Sequence, residues 1–203
     1  MKTVGNSDRK FAMPDLLPPG GSIRKILIHE IEGYREHLLR LDAASRRSRF
    51  GGAVSEEFIR NYVDLARGLG SVLHGFFVDG VVRGVAELRP LSAASSREAE
   101  AAFSIEKPWQ SHGVGRALLE RTLLSARNRR IRLLYMACLA ENKVMQQLAR
   151  KFDAELKFDF GSVEAEMRTP HPSPQSLLKE QLADTMGFAT AILDVQAKLL
   201  RPV

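Results

Sequence analysis

The sequence predicts one α/β domain built from about seven strands and about four helices, followed by a C-terminal helix. Three observations predict it: an Asp-Gly hairpin signal at residues 79–80, apolar residues at helical spacing in several segments, and a continuous apolar run over residues 131–139. The length of 203 residues suffices for one sizeable core and is short for two. With 44% apolar and 27% charged residues, the composition is that of a globular chain.

The first half of the chain is predicted to contain a strand, two helices and a hairpin. A strand-like run over residues 23–28 is followed by apolar side chains at helical spacing over residues 31–41. Ser55, followed by two glutamates, is typical of a helix N-cap, and this second helix is expected to be short and to end at Gly68. Two strands then flank Asp79-Gly80, a pair that suits a type I′ turn because both residue types tolerate positive φ.

The second half continues with a third strand of the same sheet over residues 99–105 and a helix that begins near Val114. The apolar run at residues 131–139 predicts a strand that is covered on both faces. Asn142 is expected to open a further helix, and residues 156–167 are expected to form a final hairpin. The predicted order of elements is β-α-α-β-β-β-α-β-α-β-β.

Proline-rich stretches predict where the domain begins and ends. Residues 1–21 are interpreted as a flexible N-terminal arm, residues 22–168 as the domain, and residues 169–203 as a linker with a helical extension. Gly187 is a position where the extension could be interrupted. The extension has apolar residues on more than one face, which leaves two alternatives open: a helix packed on the domain's own sheet, or a helix that forms a homodimer or binds a partner.

Charge and cysteine content narrow the class of protein. The net charge of +6 includes arginine clusters within residues 46–49 and 127–132, each interpreted as a solvated face or as a local positive rim for a nucleotide cofactor. Three Tyr and one Trp are few for a nucleic-acid surface, so no such partner is predicted. The single cysteine, Cys138, is expected to be a buried strand residue, and it favours a reducing, cytoplasmic location. No signal peptide, membrane span or metal site is predicted.

A glycine-containing loop at residues 110–115 carries the first chemical signal. Gly113 and Gly115 let a backbone approach an anion closely, and the helix that starts there directs unpaired N–H groups and its positive dipole end to the same point. A pyrophosphate is the natural occupant. The pattern alone is weak evidence, but the strand before it, the helix after it and the second strand-helix unit with Asn142 strengthen the interpretation.

These residues resemble the cofactor loop of the GNAT acetyltransferase superfamily, which has the form (Gln/Arg)-x-x-Gly-x-(Gly/Ala) between the fourth strand and the following helix. Gln110, Gly113 and Gly115 match it. The resemblance covers residues 22–168 and includes the order of elements. The segments Ala99 to Gly115 and Ser45 to Phe50 are most similar to the GNAT domains of bacterial protein lysine acetyltransferases.

The resemblance implies a GNAT-type fold: a mixed, mostly antiparallel sheet of about seven strands, flanked by about four helices and splayed at a cofactor cleft. Acetyl-CoA or another acyl-CoA would lie in this cleft as co-substrate, without a metal. Three consecutive residues would pair through their backbone with the pantetheine arm, and the loop N–H groups would hold the pyrophosphate. The implied cofactor-binding residues are Ser104, Ile105 and Glu106 on the strand, Gln110, Ser111, His112, Gly113, Val114, Gly115 and Arg116 in the loop, and Asn142, which would also cap its helix.

Acyl transfer to an amine needs a base, because an ammonium must lose a proton before its nitrogen attacks the thioester. Glu100 is the candidate that the resemblance implies, and the alternative is that it is only a surface carboxylate. Glu98, which shares its face by strand alternation, and Glu106 are further candidates. Two residues depart from the family pattern: Ala149 stands where many members have a tyrosine general acid, and His112 stands where Arg or Lys is frequent.

The sequence therefore predicts an N-acetyltransferase that moves an acetyl group from acetyl-CoA to a primary amine. The acceptor is a protein lysine or a small molecule such as an antibiotic. A non-catalytic acetyl-CoA-binding regulatory module is the alternative from a different class. Neither a membrane nor a nucleic acid is an expected partner.

Overall fold

The computed structural model describes residues 17–68, 70–91 and 97–200. Two short 3₁₀ turns, Ile28–Glu30 and Lys107–Trp109, accompany the strands and helices. The strands are β1 (Gly21–Lys25), β2 (Val72–Val78), β3 (Val81–Pro90), β4 (Glu98–Ile105), β5 (Leu133–Leu139), β6 (Glu155–Asp159) and β7 (Ser162–Arg168). The helices are α1 (Ile31–Arg40), α2 (Ala43–Phe50), α3 (Glu56–Gly68), α4 (Val114–Asn128), α5 (Lys143–Lys151) and α6 (Pro174–Leu200).

All seven strands form one sheet in the order β1-β2-β3-β4-β5-β7-β6. Neighbouring strands are antiparallel except β4 and β5, which are parallel. The β4–β5 pairing covers only Glu98 to Glu100 against Leu133 to Tyr135, although both strands continue for several residues beyond it. The two strands therefore diverge, and a wedge opens in the middle of the sheet. The predicted mixed, mostly antiparallel and splayed sheet is confirmed.

Helices cover both faces of the sheet. On one face, α1 and α3 pack against β2 and β3 around Tyr34 and Leu38, which are fully buried. On the other face, α4 and α5 cover β4, β5 and β7 around Leu119, Leu134 and Met136. Because each fully buried aliphatic or aromatic side chain contributes on the order of 2 kcal/mol, these two clusters hold the helices on the sheet.

Two local predictions of the N-terminal half are confirmed. Asp79 and Gly80 both have positive φ, 51° and 69°, as a type I′ turn requires. Ser55 caps α3, since its Oγ accepts a hydrogen bond from the Phe58 N–H at 3.1 Å. The expectation of a short helix is wrong, because α3 runs for 13 residues.

The helix α2 was not among the predicted elements. Asp42 caps it by accepting a hydrogen bond from the Ser45 N–H at 3.0 Å, and Gly51 ends it with a φ of 75°. Its sequence is rich in Arg and Ser and holds a single large apolar residue, Phe50, so it has no apolar periodicity to detect. Five helices therefore flank the sheet, one more than predicted.

The prediction that β5 is covered on both faces is also wrong. Leu134, Met136 and Cys138 are buried, whereas Tyr135 is half-buried and Ala137 is exposed. The physical reason is that the face carrying Tyr135 and Ala137 borders an open cavity lined mainly by charged side chains instead of an apolar helix.

The C-terminal helix α6 runs unbroken for 27 residues and packs on β1 and α4. It covers an edge strand, where exposed backbone N–H and C=O groups would otherwise invite pairing with another chain. Gly187 does not interrupt the helix. It lets the helix approach the sheet closely, since a Cβ there would lie 2.7 Å from the Cβ of Arg24. No helix among the described residues is both long and apolar enough to cross a bilayer.

The predicted division of the chain stays a prediction. Residues 1–16 of the arm lie outside the described residues, and β1 already begins at Gly21. At the other boundary, Thr169 is tied to the sheet, because its N–H donates to the carbonyl of Arg132 at 3.1 Å.

Candidate active site

The wedge between β4 and β5 contains a cavity of about 400 Å³. Its walls come from five parts of the chain: the two diverging strands, the C-terminal end of α2, the start of α5, and the turn between β6 and β7. Its lining residues are Ser48, Arg49, Phe50, Gly51, Glu100, Ala102, Phe103, Met136, Ala137, Cys138, Leu139, Asn142, Met145, Phe160, Gly161 and Ser162.

The loop that precedes α4 presents unpaired backbone N–H groups. Ser111 and Gly113 have positive φ, 63° and 78°, which turns the chain sharply into the helix. Gly113 is the N-cap residue and no side chain of the described residues caps this helix. The first intrahelical bond runs from the Ala117 N–H to the Gly113 carbonyl, so the N–H groups of residues 114–116 have no intrahelical acceptor. With no acidic residue in its first turn, this helix end is suited to an anion.

The two glycines of the loop serve different purposes. Gly113 needs to be glycine because its φ of 78° is costly for any residue with a Cβ. Gly115 does not need to be glycine, because a Cβ there would make only ordinary van der Waals contacts, 3.5 Å from Ile105 Cδ1 and 3.6 Å from Leu148 Cδ2. The structure thus accounts for a motif that demands glycine at its first small position and accepts alanine at its second.

Gln110 ties the loop to the rest of the wedge. Its Nε2 donates to the Ile105 carbonyl at 2.8 Å and to the Ser45 Oγ at 3.2 Å, which links β4, the loop and α2. Next to it, Nδ1 of His112 donates to the Gln110 carbonyl at 2.6 Å, which fixes the tautomer and leaves Nε2 as an acceptor. Arg116 forms an ion pair with Glu120 at 3.1 Å, one turn along α4.

The backbone groups at the end of β4 do not all face the wedge. The Glu106 N–H donates to the carbonyl of Arg83, at 2.9 Å, and therefore points toward β3. Strand alternation directs the N–H of Ser104 to the same side and that of Ile105 to the other. Of the three residues predicted to pair with pantetheine, Ile105 is thus the one whose backbone N–H is directed into the wedge.

The side chain of Glu106 belongs to a buried polar cluster. It accepts hydrogen bonds from His37 Nδ1 at 3.3 Å, Arg40 Nε at 3.0 Å and Arg83 Nη1 at 3.0 Å, and His37 Nε2 lies 2.9 Å from the Ser104 Oγ. Burial alone would raise the pKa of Glu106, but the His37 hydrogen bond and the charge of Arg40 outweigh it and lower the pKa. Glu106 is therefore a structural anion and a poor candidate for a base.

Glu100 stands at the last paired position of β4, at the apex of the wedge. It lines the cavity in the wedge, called the main cavity below, and also a second cavity of about 590 Å³ on the open face of the sheet. Glu98 lines this second cavity too, as strand alternation predicts. The Glu100 carboxylate forms an ion pair with Arg89, and 32% of the Glu100 side chain is exposed. Burial lowers the pKa of Arg89, but the Glu100 hydrogen bond outweighs this effect and the pKa is raised. Glu100 is thus the carboxylate that borders both cavities.

Asn142 caps α5, since its Oδ1 accepts a hydrogen bond from the Met145 N–H at 3.1 Å, and it also lines the main cavity. Ala149 is fully buried and offers no proton. No tyrosine lines the main cavity within the described part of the chain. Cys138 is buried as predicted, and burial raises the pKa of its thiol, which disfavours the nucleophilic thiolate.

A second buried ion pair, which the sequence did not predict, anchors α2 at the cavity wall. Arg49 Nη2 lies 2.9 Å from Oε2 of Glu87, and the side chains are 7% and 2% exposed. Glu87 also accepts hydrogen bonds from the hydroxyl groups of Tyr34 and Ser71, both at 3.1 Å, and from Tyr62. Arg49 was noticed only as a member of a basic cluster, because nothing near it in sequence indicates its distant partner.

Comparison with known families identifies the fold. Residues 37–154 match the model of the acetyltransferase (GNAT) family, which is more than half of the chain. The chain belongs to the GNAT family. The predicted superfamily and the predicted enzyme class, an acetyltransferase, are thereby confirmed. Comparison with curated proteins gave no significant match.

Solved structures share the architecture of this GNAT acetyltransferase. The GNAT domain of S. lividans PAT is 22% identical, with a TM-score of 0.61, over 73% of this chain and 90% of that one. The putative acetyltransferase yncA of Salmonella typhimurium, solved with acetyl-CoA, is 17% identical, with a TM-score of 0.56, over 76% and 98%. PaiA N-acetyltransferase of Thermoplasma acidophilum, solved with coenzyme A, is 18% identical, with a TM-score of 0.54, over 73% and 98%. At these identities the likeness establishes the shared fold.

Among the described residues, no group of three or more His, Cys, Asp or Glu side chains is placed to hold a metal ion. Two kinds of chemical group stand out at the wedge: the unpaired backbone N–H groups at the start of α4 and the Glu100 carboxylate at the apex.

Proposed function

We propose that this GNAT acetyltransferase moves an acetyl group from acetyl-CoA to a primary amine by direct attack, with Glu100 as the general base. One observation carries the proposal: the wedge between β4 and β5 has the Glu100 carboxylate at its apex, and the uncapped N-terminus of α4 lies at the end of β4. There, Gln110 binds the Ile105 carbonyl, and Gly115 faces Ile105 and Leu148. The helix N-terminus suits the pyrophosphate of a CoA ester, and the carboxylate suits an ammonium.

The donor would lie in the wedge. The N–H groups of residues 111–116 would hold the pyrophosphate, and the Ile105 N–H would pair with the pantetheine arm as a neighbouring strand would. Gln110 and Asn142 would act at the two sides of the wedge. Gln110 would hold the end of β4, and Asn142 would contact the donor from the N-terminus of α5. The structures of the S. typhimurium and T. acidophilum proteins with acetyl-CoA and CoA support this choice of donor.

The chemistry would begin with the loss of a proton from the acceptor ammonium to Glu100, directly or through a water molecule. The amine nitrogen then attacks the thioester carbonyl and the C–N bond forms; the nitrogen, which is cationic after the attack, releases its second proton to solvent, the C–S bond breaks, and CoA leaves as a thiolate. Ala149 offers no proton, so the thiolate takes one from solvent. Arg89 holds one carboxylate oxygen of Glu100 in place and leaves the other for the proton.

The acceptor would approach from the open face of the sheet. The second cavity is lined by Glu98, Glu100 and Glu164, with Lys157 and Tyr135 at its side. Lys157 is already paired with Glu166 at 2.9 Å, so the surface attracts a cation more than an anion. A protein lysine suits it, because the long aliphatic stem can bring an ammonium to Glu100 while the peptide backbone stays at the surface.

An acceptor screen tests the proposal. Release of CoA thiol from acetyl-CoA would be followed with basic and acidic lysine peptides, a peptide with a free α-amine, a polyamine and an aminoglycoside. We expect the fastest release with the basic lysine peptide. A preference for the polyamine or the aminoglycoside would replace the protein acceptor by a small molecule. Tight binding of acetyl-CoA without transfer to any amine would indicate a regulatory module instead.

The role of Glu100 is tested with a matched pair of variants on the same strand face. Glu100→Gln should lower kcat by roughly 100-fold or more while acetyl-CoA affinity stays within about 2-fold, since the carboxylate acts on the proton and not on the cofactor. Glu98→Gln is the control for the loss of one negative charge on this face: it should keep kcat and raise only the KM of the acceptor, since Glu98 lines the acceptor surface. An unchanged kcat in Glu100→Gln would remove Glu100 from the mechanism.

A further inference from the structure

The helix α6 has an inner arc that is fixed to the domain. Glu180 accepts hydrogen bonds from Lys25 at 3.1 Å, Ser125 at 2.7 Å and Arg129 at 2.9 Å. Further along the helix, Asp194 pairs with Arg24 at 3.3 Å. These contacts, together with the close approach at Gly187, determine which side of the helix faces the sheet edge.

The outer arc of α6 is apolar along five turns. It carries eight large apolar side chains whose exposed fractions run from 45% to 71%. Gln181 and Thr185 are the polar residues between them. The eight residues are Leu177, Leu178, Leu182, Met186, Phe188, Ile192, Leu193 and Val195.

The acidic residues of α6 lie away from this arc. They are Glu180, Asp184 and Asp194, and all three are paired with Lys25 or Arg24 of β1. An amphipathic helix that lies on a membrane normally carries many basic residues on its polar face. In α6 the basic residues are two, Lys179 and Lys198, against three acidic ones, so the outer arc is better suited to another apolar protein surface than to anionic lipid.

The size of the outer arc matches one half of a stable interface. Its eight side chains expose on the order of 800 Å², from their exposed fractions. The largest apolar patch of a typical monomer is about 300–600 Å², and a standard protein interface buries about 800 Å² on each partner. The N-terminal segment of the same chain, residues 1–16, is less suited than a second copy to cover the outer arc. Its apolar residues are interrupted by charged ones: Lys2, Asp8, Arg9, Lys10 and Asp15.

We propose that the outer arc of α6 binds the outer arc of a second copy of the chain, which makes the protein a two-fold homodimer. Two-fold symmetry places the same patch on both sides of an interface, and a mostly apolar arc, in which the polar residues Gln181 and Thr185 are uncharged, is complementary to itself. At 100° per residue, Thr185 lies near the centre of the arc, both along the helix and around it, and therefore close to the two-fold axis. The helix α6 lies at the β1 edge, and two strands, β2 and β3, separate β1 from the wedge-forming β4–β5 pair, so the pairing leaves the active site open.

The first experiment measures the mass of the full chain by sedimentation equilibrium between about 1 and 200 µM. We expect twice the monomer mass of 22.6 kDa for the natural sequence. The double variant Leu182→Glu, Leu193→Glu should raise the dimer dissociation constant by roughly 100-fold or more, because the interface would bury unpaired carboxylates. The matched control is Leu65→Glu on α3, where the leucine is 65% exposed, similar to 57% and 63% at the two test positions. The control should remain a dimer.

A cysteine variant makes the result independent of how well the charged variants fold. Thr185→Cys should form an intermolecular disulfide with its own equivalent near the two-fold axis, whereas Leu65→Cys should not. The natural Cys138 is buried and adds little background. A monomer over the whole concentration range would overturn the proposal, as would a dimer that persists in the double glutamate variant or a disulfide that forms only at position 65. Monomeric protein that floats with phosphatidylcholine–phosphatidylserine vesicles through these same leucines would assign the arc to lipid and overturn it as well.

Discussion

The ion-pair cluster at Glu180 gives a prediction whose size follows from the structure. The carboxylate lies on α6, its side chain is 13% exposed, and it accepts hydrogen bonds from Asn128 at 2.7 Å as well as from Lys25, Ser125 and Arg129. Burial alone would raise its pKa, but these donors outweigh burial and lower the pKa from 4.5 to about 2. The folded state therefore favours the ionised carboxylate.

The magnitude follows by linkage. A depressed folded-state pKa stabilises the protein above the unfolded-state pKa, and this contribution is lost as the pH falls toward the folded-state value. The interval between 4.5 and about 2 corresponds to an upper estimate of about 3 kcal/mol at neutral pH. About 2 kcal/mol of it should be gone by about pH 3.

The variant Glu180→Gln removes the titrating group and keeps its shape. Urea unfolding of the natural and variant chains would be compared at about pH 7, 5, 4 and 3 and at one protein concentration, because oligomerisation shifts apparent stability. We expect a loss of about 1–3 kcal/mol at neutral pH that shrinks steadily as the pH falls. The control Glu56→Gln, at an exposed i,i+4 pair with Arg60, should change stability by less than about 0.5 kcal/mol. An equal loss at every pH, or no loss at neutral pH, would refute the linkage.

Three further predictions concern the wedge. Gly113→Ala should weaken acetyl-CoA binding strongly, since φ is positive at this position. Gly115→Ala should leave the affinity for acetyl-CoA within a few-fold, because the added Cβ would make only ordinary contacts. Calorimetry measures both affinities. Arg49→Met should cost about 3 kcal/mol or more in urea unfolding because it leaves a buried carboxylate without its guanidinium, while Arg47→Met, at a side chain 56% exposed, should cost little. If Glu100 is the base, Glu100→Asp, which keeps a carboxylate, should retain more of the rate than Glu100→Gln, as measured by CoA release from acetyl-CoA.

Local signals in the sequence were sufficient for most of the fold. The turn at Asp79-Gly80 and the cap at Ser55 depend on residues within four positions of each other, so the chain shows them directly. The helix α2 was missed for the opposite reason: it is held by the Arg49–Glu87 ion pair, whose partners lie 38 residues apart, and not by an apolar stripe. A periodicity argument has nothing to detect in such a helix.

The candidate site shows the same limit. The loop at Gln110–Gly115 was found because it is continuous in sequence, and the structure places it at the wedge. By contrast, nothing in the sequence indicated that the Glu106 carboxylate binds His37 and Arg40 of α1. Nor did it indicate that Glu100 forms an ion pair with Arg89 across the β3–β4 pair. Which carboxylate is left for chemistry depends on neighbours that only the folded sheet brings together.

The short β4–β5 pairing has a consequence for how the protein behaves without its donor. Three residue pairs join the strands β1–β4 to the strands β5–β7 through backbone hydrogen bonding, and beyond them the facing strand edges have no partner strand. A CoA ester in the wedge would act as a substitute strand, so the amide hydrogens of Phe103 and Ile105 should exchange quickly with solvent in the empty protein and slowly in the loaded one. A ligand at concentration [L] that binds only the folded state adds RT ln(1 + [L]/Kd) to the free energy of unfolding. The supply of acetyl-CoA in the cell would then also determine how stably the two halves of the sheet are held together.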